Sequence, residues 1–123
     1  MPRSILENCS DEAGERIASY HSDVLAEVRA KVASEDVVVI GMALNPFVAS
    51  IRKALKAAGI PYCYLGYGGY FSKWKERLAI KMWSGWATYP QVFVHGKLIG
   101  GSAMARKLLK SGAFQECMDR GRE

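Results

Sequence analysis

Cysteine is sparse in this chain, and no two cysteines stand close together. Cys9, Cys63 and Cys117 are spread over 123 residues, and no CxxC pair occurs. An odd number at such spacing does not build a disulfide framework. With only two histidines, His21 and His95, the cysteines also lack the spacing of a zinc site, so no metal ligand set is read. They read as free thiols of a reducing compartment. Long apolar runs are missing too. The longest, Val37 to Leu44, includes Gly41 and falls far short of a membrane span. The opening Met-Pro-Arg-Ser-Ile-Leu-Glu-Asn has no apolar signal region, and the expected location is cytoplasmic, with no membrane partner. No internal repeat or low-complexity tract breaks the chain.

Acidic residues become scarce after position 36. Eight of the twelve lie in positions 1–36. From Val37 onward thirteen Lys/Arg stand against four Asp/Glu, a net charge of +9. Such a body suits a small acidic ligand, an acidic partner or nucleic acid. Scattered bases equally suit a plain solvated surface. No basic stripe or known nucleic-acid motif is visible, which makes nucleic acid the weakest of these.

Half of the residues are hydrophobic, enough for one ordinary core. Residues 1–10 read as a lead-in. Ser10 with Asp11 and Glu12 caps a helix whose stripe is Ile17, Tyr20, Val24, Val28 and Val32, broken near Gly14. The β-branched run within Asp36 to Gly41 predicts a buried strand. Asn45 is a strong N-cap and Pro46 fits the first helical position. Phe47, Val48, Ile51, Ala54, Leu55 and Ala58 give that helix an apolar face, and Gly59 ends it. Ile60 to Leu65 reads as a second strand, parallel to the first. After the Gly66–Gly69 loop, a helix over about Phe71 to Trp83 presents Trp74, Leu78 and Met82 on one face. Gln91 to His95 and Lys97 to Ile99 form an antiparallel hairpin through His95-Gly96. Ser102 caps a helix to about Lys110, and a short helix covers Ala113 to Met118. Most of the aromatics Tyr64, Tyr67, Tyr70, Phe71, Trp74, Trp83 and Trp86 are assigned to the core, with a few near the Gly66–Gly69 loop and Trp86 left to line a groove.

The order βαβαββα, together with Thr88-Tyr89-Pro90-Gln91-Val92-Phe93-Val94-His95-Gly96-Lys97-Leu98-Ile99-Gly100-Gly101, resembles the glutaredoxin family over about Asp36 to Met118. Trp83-Ser84-Gly85-Trp86 and Trp86-Ala87-Thr88 are similar to the monothiol branch. The resemblance implies an α/β, thioredoxin-like fold: a four-stranded mixed sheet flanked by helices, with an extra N-terminal helix. It divides the chain into a 1–35 extension and a glutaredoxin-like domain over 36–123.

Family members place C-P-Y-C or C-G-F-S between the first strand and its helix, where the helix N-terminus favours a thiolate. The matching residues here are Asn45, Pro46, Phe47 and Val48. Asn45 stands where the nucleophilic cysteine would be, so no catalytic residue is assigned. Asn forms no mixed disulfide and supplies no thiolate to an iron–sulfur cluster. It either caps the helix or hydrogen-bonds a ligand. The resemblance further implies a glutathione groove at Tyr89 and a cis Pro90, and at Gly100, Gly101 and Ser102, whose helix N-terminus suits a carboxylate. Phe47 and Thr88 complete that candidate set. Two departures count against glutathione: Met42 replaces the usual Lys, and Ala103 the usual Asp. Lys81 or Lys97 is offered as a compensating cation.

The expectation is therefore a redox-inactive module that binds glutathione, a peptide or a protein in the old groove, linked to cell redox homeostasis. The alternative is a thiol–disulfide oxidoreductase using Cys63, although ligands gather at the carboxyl ends of parallel strands and Cys63 should lie buried near the other end.

Overall fold

The computed structural model describes residues 4–121. Two helices come first, α1 (Asp11–Ser19) and α2 (Ser22–Ser34). They are followed by β1 (Val37–Gly41), α3 (Pro46–Ala57), β2 (Cys63–Gly66), α4 (Trp74–Ser84), β3 (Gln91–Val94), β4 (Lys97–Gly100), α5 (Ser102–Ser111) and α6 (Ala113–Arg120). The sheet order is β2-β1-β3-β4. β1 runs parallel to β2 and antiparallel to β3, and β3 pairs antiparallel with β4. This is the four-stranded mixed sheet flanked by helices that the sequence led us to expect.

Every residue of β1 is buried. Because successive side chains point to opposite faces, a strand covered on both sides must be apolar without alternation. Val38 and Ile40 pack with Val28 and Val32 of α2, Ile80 of α4, Tyr89 and Phe93. Val37 and Val39 pack on the other face with Ile51 and Leu55 of α3, Ala105 of α5 and Phe114 of α6. Each such aliphatic or aromatic side chain contributes about 1.5–3 kcal/mol by leaving water.

Several boundaries differ from the sequence reading. The N-terminal helix breaks at Tyr20–His21, where His21 adopts a left-handed φ of 47°, and Gly14 lies inside α1. A helix tolerates one glycine at about 1 kcal/mol, so Gly14 alone does not end it. β2 starts at Cys63 and α4 at Trp74, each three residues later than expected. Left-handed Lys73 (φ 60°) delays α4. The cap of α5 is Gly101, with Ser102 its first helical residue. His95 and Gly96 both take positive φ, 48° and 81°, as a tight hairpin turn requires. No described helix is long and apolar enough to cross a membrane.

The largest correction concerns α4. Trp74, Leu78 and Met82 do share one face, but that face is exposed. The core side is Arg77, Ala79 and Ile80. Arg77 can be buried because its guanidinium donates to the carbonyls of Tyr67 (2.8 Å) and Ser72 (2.5 Å). Of the seven aromatics assigned mainly to the core, Tyr70, Phe71, Trp74 and Trp83 are exposed, and Tyr64, Tyr67 and Trp86 half-buried.

Candidate functional site

Strand register decides which residues meet. Ile40 pairs with Gln91, and Val92 with Gly100. The carboxyl end of β1, the start of β3 and the end of β4 therefore share one end of the sheet. That end carries Asn45 to Val48, Thr88 to Pro90 and Gly100 to Ser102.

At the first of these segments the chain leaves β1 and turns into α3. Leu44 holds a left-handed φ of 59° with its side chain exposed. Asn45 is extended, and its Oδ1 accepts from the amides of Phe47 (2.9 Å) and Val48 (3.1 Å). These are free donors of a helix start, and the Asn45 side chain takes both. Phe47 projects into solvent while Val48 is buried against Gly41.

A cleft of about 360 Å³ opens beside this turn, lined by Met42, Leu44, Asn45, Pro46, Arg52 and Tyr64 among others. Arg52 follows Asn45 by two helical turns, which puts both on one face of α3. Its guanidinium lies 3.8 Å from the Tyr64 ring centre, and its Nε donates to the Tyr62 hydroxyl at 3.2 Å. That hydrogen bond holds the Arg52 pKa above its ordinary value. Arg52 was not singled out from sequence, although the seven-residue step from Asn45 would have found it.

The second segment begins with exposed Thr88, followed by a cis Tyr89-Pro90 bond. Tyr89 is buried and its hydroxyl donates to the Arg77 carbonyl at 2.5 Å. Burial pushes its phenol well above the usual tyrosine range. Lys81 Nζ lies 5.5 Å from the Tyr89 ring centre. Lys97, the other proposed compensating cation, pairs with Val94 at the far end of the sheet and cannot serve this groove.

At the third segment, a Cβ on Gly101 would stand 3.5 Å from both the Pro90 carbonyl oxygen and Trp86 Nε1. Three buried polar groups near this point have no hydrogen-bond partner among the described residues: Trp86 Nε1, Gln91 Oε1 and Ser102 Oγ. Gln91 does donate its amide to the Trp86 carbonyl at 3.1 Å. Buried groups of this kind cost about 1–3 kcal/mol each when unpaired, so their grouping marks a place where polar contacts are wanted. Gln91 was read from sequence only as the start of a strand.

The thiols lie elsewhere. Cys63 pairs with Val38 towards the amino end of β1, in a cleft with Glu35, Asp36 and Pro61. It is half-buried, not buried as the strand pattern suggested. Tyr62 and Tyr64 beside it are also only half-buried, because β2 is an edge strand. Cys9 is exposed and Cys117 half-buried on α6. Among the described residues no group of three or more His, Cys, Asp and Glu is placed to hold a metal ion. His95 donates to or accepts nothing near the groove; its Nε2 meets the Met118 carbonyl at 2.9 Å.

No family model matches the chain. It is 47% identical over 112 residues to a glutaredoxin-like protein of Dictyostelium discoideum, covering 91% of each chain. An uncharacterized monothiol glutaredoxin of Synechocystis is 33% identical over 73 residues, covering 59% of this chain and 65% of that protein. Among solved structures, the buckwheat glutaredoxin–glutathione complex superposes with a TM-score of 0.72 at 21% identity, over 86% of this chain and 93% of that one. Wheat glutaredoxin gives a TM-score of 0.70 at 27% identity, over 81% and 93%. By its sequence and by the thioredoxin architecture of its sheet, this chain belongs to the glutaredoxin family.

Proposed function

We propose that this is a redox-inactive glutaredoxin-like protein that binds glutathione or a glutathione-like peptide at the end of the sheet described above. The observation that carries the reading is the Asn45 side chain, which takes the Phe47 and Val48 amides. In the family this is the position of the nucleophilic thiolate. An amide oxygen there neither attacks a disulfide nor ligates iron as a thiolate does, so the residues do not fit an iron–sulfur cluster. Cys63 lies at the other end of the sheet, which does not support it as a substitute.

The groove itself supports binding. Tyr89 and cis Pro90 supply an extended backbone edge for a peptide, while Phe47 and Thr88 flank it. Gly100, Gly101 and Ser102 offer a close backbone approach at the start of α5, suited to a carboxylate. The unpaired Trp86, Gln91 and Ser102 groups add polar contacts beside it. Arg52 and Lys81 are the nearby cations for a second carboxylate, in place of the family lysine whose position Met42 takes. We place the protein in the cytoplasm, with residues 36–123 forming the binding domain.

The test is an NMR titration of the labelled protein with reduced glutathione. Saturable shifts of the amides at Asn45–Val48, Tyr89 and Gly101–Ala103 are expected. No shift at millimolar glutathione removes that ligand. Turnover in a glutathione-coupled disulfide-reduction assay, abolished by Cys63→Ser, would overturn redox inactivity.

A further inference from the structure

Two glycines decide where the Tyr64 ring lies. A Cβ on Gly41 would stand 3.1 Å from Tyr64 Cε1, and one on Gly66 would stand 2.8 Å from Tyr64 Cε2. These glycines end β1 and β2 and pair with each other. The ring therefore leans over the carboxyl end of both strands, where a larger residue would displace it. The Arg52 guanidinium stacks on this ring at 3.8 Å, and its Nε is tied to the Tyr62 hydroxyl. An arginine held on an aromatic face and anchored through Nε is pre-organised, and its Nη edge suits a planar anion such as a carboxylate.

The chain supplies no acid for that edge. From Val37 to Lys75 it has five Lys/Arg and not one Asp or Glu. That stretch holds β1, α3 and β2, and with them every residue that lines the cleft beside Arg52. Arg52 makes no ion pair among the described residues. The amides at the start of α3 do not serve an anion here, because Asn45 takes those of Phe47 and Val48. Lys81 sits against Tyr89 and does not line the cleft. The cleft thus has one cation, and the rest of its lining is largely apolar: Met42, Leu44, Pro46, Ala49 and the Tyr64 ring. Ala49 stands between Asn45 and Arg52 on one face of α3, and its small side chain keeps the space open. The volume of about 360 Å³ falls at the lower end of small-ligand sites.

We infer that this cleft receives the C-terminal residue of a peptide, with the carboxylate on Arg52 and an apolar side chain among Met42, Leu44, Pro46 and Ala49. The inference rests on the peptide-binding reading above, since Asn45 and Pro46 line the cleft and also belong to the groove. It goes further by naming the preferred class, a peptide that ends in a free carboxylate on an apolar residue. Glutathione ends in glycine and leaves the apolar part of the cleft unfilled. An amidated end leaves Arg52 without its counter-charge.

NMR titrations of the labelled full chain test this, with reduced γ-glutamyl-cysteinyl-leucine, its C-terminal amide and glutathione as probes. The leucine peptide should bind about tenfold more tightly than either comparison, as for one charge-assisted hydrogen bond or a few buried methylenes. Its shifts should include the amides of Met42 to Leu44, Ala49 and Arg52. Arg52→Gln should abolish the preference for acid over amide and keep that for leucine over glycine. Ala49→Leu, which fills the cleft, should do the reverse. Lys53→Gln, next along α3 and outside the cleft, should change neither. Arg52, Ala49 and Lys53 are exposed, and far-UV circular dichroism checks that each variant folds. Equal affinity for acid and amide overturns the inference, as does an acid preference that survives Arg52→Gln. Glutathione binding as tightly as the leucine peptide, with shifts at Tyr89 and Gly101–Ala103, removes the cleft and leaves the groove. No shift with any of these peptides removes both.

Discussion

Replacing Asn45 by alanine removes a cap and nothing else of size. Two hydrogen bonds are lost, to the amides of Phe47 at 2.9 Å and Val48 at 3.1 Å. Loss of an N-cap costs about 0.5–2 kcal/mol. The Phe47 amide is exposed and water replaces its partner, whereas the Val48 amide is partly buried and water reaches it less well. The upper half of the range, about 1–2 kcal/mol, therefore applies. Unfolding entropy of about 2.1 cal/mol/K per residue gives ~0.26 kcal/mol/K for this chain, so the melting temperature should fall by about 4–8 °C. Urea unfolding measures the same loss as a lower midpoint at unchanged slope. Asn45→Ser and Asn45→Asp retain an acceptor and should recover most of the stability. Asn45→Ala as stable as the parent, or Asn45→Ser as damaging as alanine, would refute the capping role.

Other perturbations have equally definite outcomes. Gly41→Ala would place a Cβ 2.7 Å from Val48 Cγ1 and 3.1 Å from Tyr64 Cε1, an overpacking expected to cost about 1–3 kcal/mol in chemical denaturation. Arg77→Met removes two charge-assisted hydrogen bonds to the Tyr67 and Ser72 carbonyls; a loss of about 3 kcal/mol and faster amide exchange over residues 67–72 should follow. Burial raises the phenol pKa of both Tyr67, next to Glu27, and Tyr89 above the ordinary tyrosine value. An acid whose folded pKa is raised stabilises the fold below its unfolded pKa, and that stability declines as pH rises further. Denaturation midpoints should thus fall above about pH 10, and less steeply in Tyr67→Phe; an unchanged slope in that variant would remove Tyr67 from the account.

The sheet and its helices were legible because burial on both faces of β1 leaves an unbroken β-branched run, and because Asn45-Pro46 and Gly59 mark the two ends of α3. The hairpin was legible from His95-Gly96. What failed were questions of which side faces what. In α4 the sequence shows that Trp74, Leu78 and Met82 share a face but not that this face is exposed, and Trp74 is among the aromatics expected mainly in the core. The real core side contains an arginine, and only the carbonyls of Tyr67 and Ser72, distant from sequence view, make its burial tolerable. The N-terminal break was placed at the glycine, yet the left-handed residue is His21, which no local propensity announces. At the candidate site, Asn45, Pro90 and Gly101 could be named from their pattern. Arg52, Gln91 and the exclusion of Lys97 depend on register, which a single strand does not reveal.

The outer strands carry one more consequence. β2 and β4 are four residues each, and both end in glycine. Pro61 precedes β2 and Lys97 opens β4. Short edges bearing Pro, Gly and Lys are poor templates for a further strand. The sheet is thus protected against lengthening into a cross-β stack. Lasting contacts with other molecules fall instead to the loops at its end and to its helical flanks, where the shape of the partner, and not a ladder of backbone groups, decides what is accepted.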